Sequence, residues 1–177
     1  VLDVKNLSKT FTVRQKPPGL LPSVRALFRP QRKEVRAVDG ITFSVDRGEV
    51  LAFIGPNGAG KSTTVKVLSG ILVPDAGRVE VLGRVPWRER IAHVGRIGVV
   101  FGQRTQLWWD LPVVESFELL RDIYRVDQAA YRRAFDELAA LLDLVPLLDT
   151  PVRQLSLGQR MRCDLAASLL HSPSILF

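Results

Sequence analysis

The sequence is short of the residue types from which many catalytic centres are built. Its 177 residues include one cysteine and two histidines. Cys163 therefore has no internal disulfide partner, and its expected place is that of a small buried core residue. No cluster of His, Cys and carboxylates accompanies the histidines, so metal-centred, thiol and serine-triad chemistries find no support. Aromatic residues make up 7%, and no stacking platform for single-stranded nucleic acid is evident. No apolar run approaches the roughly 20 residues needed to span a bilayer, so the chain is not expected to form a channel. No charged and apolar leader precedes the first strand-like segment, which predicts no secretion and, with a lone cysteine, a cytosolic setting.

What remains is ordinary for a globular protein, with 46% hydrophobic and 24% charged residues and a length that suits one domain. The net charge of +7 is local. Residues 14–36 hold Arg14, Lys16, Arg25, Arg29, Arg32, Lys33 and Arg36 against a single acid, Glu34, whereas the remainder is close to neutral. Within this basic insertion, Leu20, Leu21, Val24, Leu27 and Phe28 could line a short amphipathic helix. Two roles stay open for it: a solvated hairpin insertion, or a surface that meets anionic lipid or a membrane partner. A nucleic-acid role is weak, because no helix here is long enough to fill a groove.

Residues 50–70 organise the rest. The apolar run Val50 to Ile54 predicts a buried strand, and Gly55, Gly60, Lys61 and Ser62 fit the phosphate-loop pattern G-x-x-x-x-G-K-[ST]. Gly55, Gly58 and Gly60 allow positive φ and close backbone approach, so successive N–H groups can point at a polyphosphate. The following helix turns its positive dipole end toward the same anion. Lys61 would neutralise the outer phosphates, and the Ser62 hydroxyl would ligate Mg²⁺ through oxygen. A nucleoside triphosphate is the implied ligand.

The other segments follow from period and punctuation. Val1 to Val4 and Leu7 to Val13 read as two short strands that end at Pro17, Pro18 and Gly19, with pairing resuming at Arg36. Ile41 to Val45 is a strand, and Asp46, Arg47 and Gly48 turn it toward the phosphate-loop strand. Helix 61–69 stops at Gly70, Pro74 to Gly77 form a turn, and Arg78 to Leu82 and Ile97 to Phe101 are strands. From Val113 to Leu142 the period is helical. Val114, Phe117, Leu120 and Tyr124 mark one face, Tyr131, Phe135, Leu138 and Leu142 another, and Asp127 is an N-cap between them. Pro146 and Pro151 bound a loop, Gly158 to Leu170 is a further helix, and Ser174 to Phe177 opens a strand. His171 sits at a helix end beside the dipole, and His93 is expected on the surface.

Three stretches in this order resemble the nucleotide-binding domain of ATP-binding cassette (ABC) transporter proteins: Gly55 to Thr63 (GPNGAGKST), Val99 to Gln103 (VVFGQ) and Leu155 to Arg160 (LSLGQR). The resemblance covers essentially the whole chain except the basic insertion. It implies an α/β fold with a P-loop NTPase core, an N-terminal antiparallel β subdomain and an α-helical insert over about 103–160. It implies that ATP lies on Gly55, Pro56, Asn57, Gly58, Ala59, Gly60, Lys61, Ser62 and Thr63, with Mg²⁺ on Ser62 and Gln103. Gln103 falls where the family has its Q-loop, and an amide there can ligate the metal and reorient without changing charge. Ser156, Gly158 and Gln159, in the signature position, would form a second anion site at a helix start, closing over the γ-phosphate held by the other subunit of a head-to-tail dimer. Phe11 lies near the family's adenine-stacking position; stacking and ordinary strand packing both stay open for it.

Two departures from the family pattern stand out. Leu157 occupies a position that is usually glycine, which predicts weakened but not abolished binding in trans. Residues 174–177 resemble the strand that leads, in the family, to an Asp for Mg²⁺ and a Glu that activates water, so a chain ending there is expected to bind ATP and turn it over poorly. The sequence reads as part of a longer product. Trp108, Trp109, Leu111 and Pro112 are either buried or form a patch for a helix of the membrane partner. The run Phe101 to Leu120 looks most like ATPase subunits of exporters whose permease is a separate chain. The resemblance thus implies an ATPase subunit at the inner face of the membrane, with a permease and a second ATP-binding subunit as partners. The competing expectations are a soluble cassette ATPase acting on ribosomes or nucleic acid, and a nucleotide-binding module without hydrolysis.

Overall fold

The structure, a computed structural model, describes residues 1–15, 31–102 and 105–177. The amphipathic segment 20–28 and Gln103 lie outside the described residues. The chain divides into two compact units, Val1–Arg90 and Ile91–Phe177.

The first unit is built on a three-stranded antiparallel sheet. Strands β1 (Leu2–Gln15), β2 (Gln31–Val45) and β3 (Ala76–Val81) lie in the order β2-β1-β3. Alternation sends Leu2, Val4, Val79 and Val81 to one buried face, and Leu2 pairs with Val45 on one side and Val81 on the other. The two short strands expected at the N-terminus are one. Asn6 adopts φ 51 and the pairing shifts register between Val4 and Leu7, so the polar break is a bulge inside a continuous strand. Its N–H is satisfied by the Thr42 hydroxyl at 2.9 Å. On the partner strand, pairing begins at Gln31 rather than Arg36.

Helix α1 (Lys61–Leu68) buries Thr64, Val67 and Leu68 and stops where expected, Gly70 having φ 75. The turn after β2 also forms, closed by the Asp46 N–H on the Glu49 carboxylate at 2.7 Å. One expectation fails. Val50 to Ile54 is not a strand, and Val50 and Ile54 are 97% and 93% exposed. A strand buried on both faces needs hydrogen-bonded neighbours, and among the described residues of this unit every ladder belongs to β1, β2 and β3. Phe53 alone finds a partner, edge-on to Phe43 with centroids 5.3 Å apart.

The second unit is mainly helical. Helix α2 (Arg90–Val94) leads into β4 (Ile97–Gly98), which pairs in parallel with β5 (Ile175–Leu176). The strand expected over 97–101 is thus shorter. His93 corrects another expectation: at 1% exposure it is in the interior, not on the surface. Helices α3 (Val113–Tyr124), α4 (Gln128–Leu141) and α5 (Leu157–Leu169) enclose a core that includes Val113, Phe117, Leu120, Tyr131, Leu138 and Cys163. The stripe on α3 is centred on Val113, Phe117 and Leu120, with Val114 only half-buried. Full burial of the Phe117 side chain contributes about 1.5–3 kcal/mol. Asp127 caps α4 as expected, its carboxylate accepting from the Ala129 and Ala130 N–H groups at 2.9 and 3.2 Å. Burial pushes the Cys163 thiol up to about 11, which keeps it protonated and inert.

His171 closes this unit. Its ring stacks on Tyr124 with centroids 4.0 Å apart, and Nε2 donates to the Ile97 carbonyl at 2.9 Å. The carbonyl can only accept, so the neutral ring carries its proton on Nε2 and leaves a buried Nδ1 with no hydrogen-bond partner. Burial lowers the pKa accordingly, opposed by the bond to Ile97. The unfolded imidazole takes its second proton near its ordinary value of 6.5, while the folded one resists it. The unfolded state therefore binds more protons below that pH, and stability falls as the medium is acidified through it. Urea unfolding at pH 7.5 and 5.5 is expected to show this loss, and the His171→Phe variant, which keeps the stack but cannot titrate, to show less of it. A second test concerns Gly98, where an added Cβ would lie 2.6 Å from the Ser168 carbonyl and 3.0 Å from Leu176. Gly98→Ala is expected to lower stability by roughly 1–3 kcal/mol in thermal unfolding. Gly95→Ala, whose added Cβ would meet the Ile91 carbonyl at an ordinary 3.7 Å, should stay within about 0.5 kcal/mol.

Candidate functional site

The phosphate loop lies in the first unit. Gly58 and Gly60 both have φ 86, a left-handed conformation that side chains rarely tolerate. Gly60 is also the N-cap of α1, and an added Cβ would collide with the Ala37 carbonyl and meet Val38 at 3.2 Å. Strand β2 thus comes so close to the loop that only glycine fits. The Gly60 carbonyl accepts the Thr64 N–H at 2.8 Å and the Thr64 hydroxyl at 3.1 Å, which fastens the start of the helix. By helix geometry the N–H groups of Lys61, Ser62 and Thr63 have no intrahelical acceptor, and no acidic residue sits in that first turn to compete for an anion.

Pro56, Asn57, Gly58, Ala59 and Ser62 are exposed, and Lys61 and Thr63 are half-buried. The Ala59 N–H closes a turn on the Pro56 carbonyl at 3.2 Å. The Lys61 ammonium folds back over the loop and donates to the Gly55 and Pro56 carbonyls at 2.6 and 2.8 Å. Two of its three donors are therefore engaged by carbonyl oxygens of the loop itself. This donor set fits a polyphosphate: backbone amides, a point cation and a hydroxyl, with no carboxylate in the loop to repel it. Ser62 supplies one oxygen for a hard cation such as Mg²⁺. Phe11 is half-buried on β1 opposite Val35, and the Lys9 ammonium lies 5.7 Å from its ring centroid.

A second anion-competent terminus lies in the second unit. Ser156 is the N-cap of α5 in a reciprocal capping box: its hydroxyl accepts the Gln159 N–H at 3.3 Å, and the Gln159 side-chain oxygen accepts the Ser156 N–H at 2.8 Å. The Gln159 amide thus turns back on the cap, while the Ser156 hydroxyl keeps its proton to donate. Leu157 is the first helical residue, is 63% exposed and is not among the residues with positive φ. The helix therefore makes no demand for glycine there. At Gly158 an added Cβ would meet nothing within 4 Å, so the first turn is open on that side.

Other groups gather behind this helix start, of which sequence patterning singled out the tryptophans but not Asp164. Asp164 is 7% exposed, and its Oδ1 accepts from the Thr105 hydroxyl at 2.8 Å and the Gln106 N–H at 3.0 Å. Burial raises its pKa, and those two bonds oppose the rise. Arg160 lays its guanidinium 4.6 Å from the Trp109 ring centroid. Trp108 and Trp109 are 38% and 48% exposed, between the two fates expected for them. The one sequence signal was the pair Arg160 and Asp164 at i,i+4 on a helix whose other inward residues are small and uncharged. Among the described residues no group of three or more His, Cys, Asp or Glu could hold a metal ion, and no helix is long and apolar enough to cross a membrane.

Comparison with known proteins identifies the family. The ABC transporter family model matches residues 38–177. Daunorubicin resistance ATP-binding protein DrrA3 of Streptomyces coeruleorubidus is 44% identical over 142 residues, covering 80% of this chain and 45% of that protein. Nod factor export ATP-binding protein I of Ralstonia nicotianae is 36% identical over 169 residues, covering 92% and 52%. Among solved structures, the ATP-binding subunit of an ABC transporter superposes with a TM-score of 0.80 at 25% identity, covering 99% of this chain and 64% of that one. The ATP-binding cassette MJ0796, in a dimeric post-hydrolysis state bound to ADP and Pi, gives a TM-score of 0.78 at 23% identity over 99% and 72%, which speaks to fold alone. The chain spans about half the length of the curated relatives it matches. On the match over 38–177 and these identities, the chain belongs to the ABC transporter family.

Proposed function

We propose that this chain is the nucleotide-binding part of a transporter ATPase, taking ATP with Mg²⁺ on the phosphate loop and passing the work of binding and hydrolysis to a separate permease. The observation that carries this reading is the loop itself: two left-handed glycines, a Lys61 ammonium folded over the loop, and three first-turn amides without helical acceptors. Relatives named for drug resistance, Nod factor export and methionine import support a transporter role. The permease, the second subunit and a position at the inner face of the membrane belong to the same proposal.

The chain's own residues divide the work. The amides of residues 61–63 and the α1 dipole would hold the phosphate oxygens, and Lys61 would exchange its two carbonyl partners for them. Ser62, with Gln103, would hold Mg²⁺, which when bound neutralises charge on the outer phosphates. Phe11 offers a half-buried ring for the adenine. Ser156 and Gly158 would approach the γ-phosphate of the ATP on the opposite subunit, where a capped helix start adds a hydroxyl, open amides and its dipole.

Two experiments test these assignments. In equilibrium binding of a fluorescent ATP analogue, Lys61→Ala and Gly60→Ala are each expected to weaken affinity by about 100-fold or more. The first removes the charge and the second drives a methyl into the Ala37 carbonyl. Retained affinity in both would dismiss the loop as the site. The second experiment separates capping from anion binding at Ser156. Ser156→Asp keeps a good N-cap and should leave helix stability within about 0.5 kcal/mol. It also sets a negative charge where a phosphate must approach, so ATP-driven dimerisation measured by analytical ultracentrifugation should be lost. Dimers formed by Ser156→Asp at wild-type ATP concentrations would remove Ser156 from the trans site.

A further inference from the structure

The loop that carries the exposed tryptophans is fastened to the start of α5 by three independent sets of contacts, all inside the second unit. Backbone bonds come first. The Trp109 carbonyl accepts the Arg153 N–H at 3.0 Å, and the Leu111 carbonyl accepts the Val152 N–H at 3.1 Å. Residues Val152–Gln154 form a single 3-10 turn that runs directly into Leu155 and the Ser156 cap. The second set is the Arg160 side chain. Its guanidinium lies over the Trp109 ring at 4.6 Å, Nη2 donates to the Leu155 carbonyl at 3.3 Å, and Nε is buried without a hydrogen-bond partner. One planar group therefore touches both the tryptophan and the residue just before Ser156. The third set is Asp164, one turn further along the helix. It takes Thr105 and Gln106 through Oδ1, while the Gln106 side-chain amide donates to the Asp164 carbonyl at 3.0 Å.

We propose that Arg160 and Asp164 are positioning residues that make the 105–110 loop and the first turn of α5 move as one body, so that a load on Trp109 sets the orientation of the Ser156 anion site. A buried carboxylate has a desolvation cost, and here its return is two hydrogen bonds to a segment about 60 residues away in sequence. An arginine whose Nε has no partner is held by its stack and one carbonyl, so loss of the tryptophan would release it. Trp109 remains about half exposed, so a partner can reach its ring while the inner side rests on Arg160. The inference deepens the ATPase reading above and rests on it.

The test is steady-state MgATP turnover by the whole protein, alongside equilibrium binding of a fluorescent ATP analogue. Asp164→Ala is expected to lower kcat about tenfold and leave analogue affinity within twofold. Asp164→Asn, whose amide oxygen can still accept from Thr105 and Gln106, should restore kcat to within about twofold. Equal losses in the alanine and asparagine variants, or no loss in either, would overturn the role of Asp164. Trp109→Leu, Arg160→Gln and the double variant form a cycle on side chains that are not fully buried, which keeps the idea testable if Asp164→Ala fails to fold. If the two groups act as one, each single change lowers kcat about fivefold and the double variant falls no further. Losses that multiply would overturn the coupling. A wild-type protein that bound the analogue and turned over normally beside unaffected variants would reject the coupling and leave the ATPase reading intact. Wild-type protein that bound no analogue would reject both.

Discussion

Both units depend on backbone meeting backbone where no side chain can intervene. In the first, the Ala37 carbonyl of β2 occupies the space that a β-carbon on Gly60 would need. In the second, the Ser168 carbonyl of α5 does the same at Gly98 on β4. Each contact locks a helix to a strand at a fixed offset, and each fixes an element that bears on the proposed site: the start of the phosphate-loop helix, and the far end of the helix that begins at Ser156. Packing of this kind is stiff, because a contact between main chains cannot be relieved by a change of rotamer.

The two anion-competent termini solve the same problem by different means. At α1 the cap is a glycine with no side chain, so the first-turn amides are open and the neighbouring lysine supplies the charge. At α5 the cap is Ser156, locked by Gln159 in a reciprocal pair, and no lysine stands close by in sequence. The first arrangement suits a ligand that is enclosed and neutralised on arrival. The second suits one presented from outside, because the cap already holds the terminus in shape and it changes little when it is approached.

Much of the local structure was legible in the sequence because single residues determine it. Gly70 ends a helix, Asp127 begins one, and the phosphate-loop glycines fix their own backbone. Features that depend on distant partners were not legible. The apolarity of Val50 to Ile54 records that the run can be buried in a sheet, but ladder partners decide whether it is, and the described residues provide none. Asn6 looked like a break between strands because a polar residue interrupts the apolar run there; in the fold Thr42, on the neighbouring strand, satisfies its amide and the strand continues. Asp164 was not singled out at all, because the residues that justify its burial lie 58 and 59 positions away. His93 was misplaced for a related reason, since a five-residue helix carries too little pattern to show which side faces inward.

The folded-back Lys61 has a consequence for kinetics. Its ammonium already holds two carbonyl oxygens of its own loop, so on the proposed reading an arriving nucleotide would compete with an internal surrogate and not fill a vacuum. What the lysine adds to affinity is then a difference between two sets of oxygens, smaller than either set alone. On departure the surrogate is a short rotation away and can take the ammonium over as each phosphate oxygen lets go. On the proposed ATPase reading, product release in every cycle would gain from such a handover, because residence time is shortened without weakening the geometry that recognises the ligand.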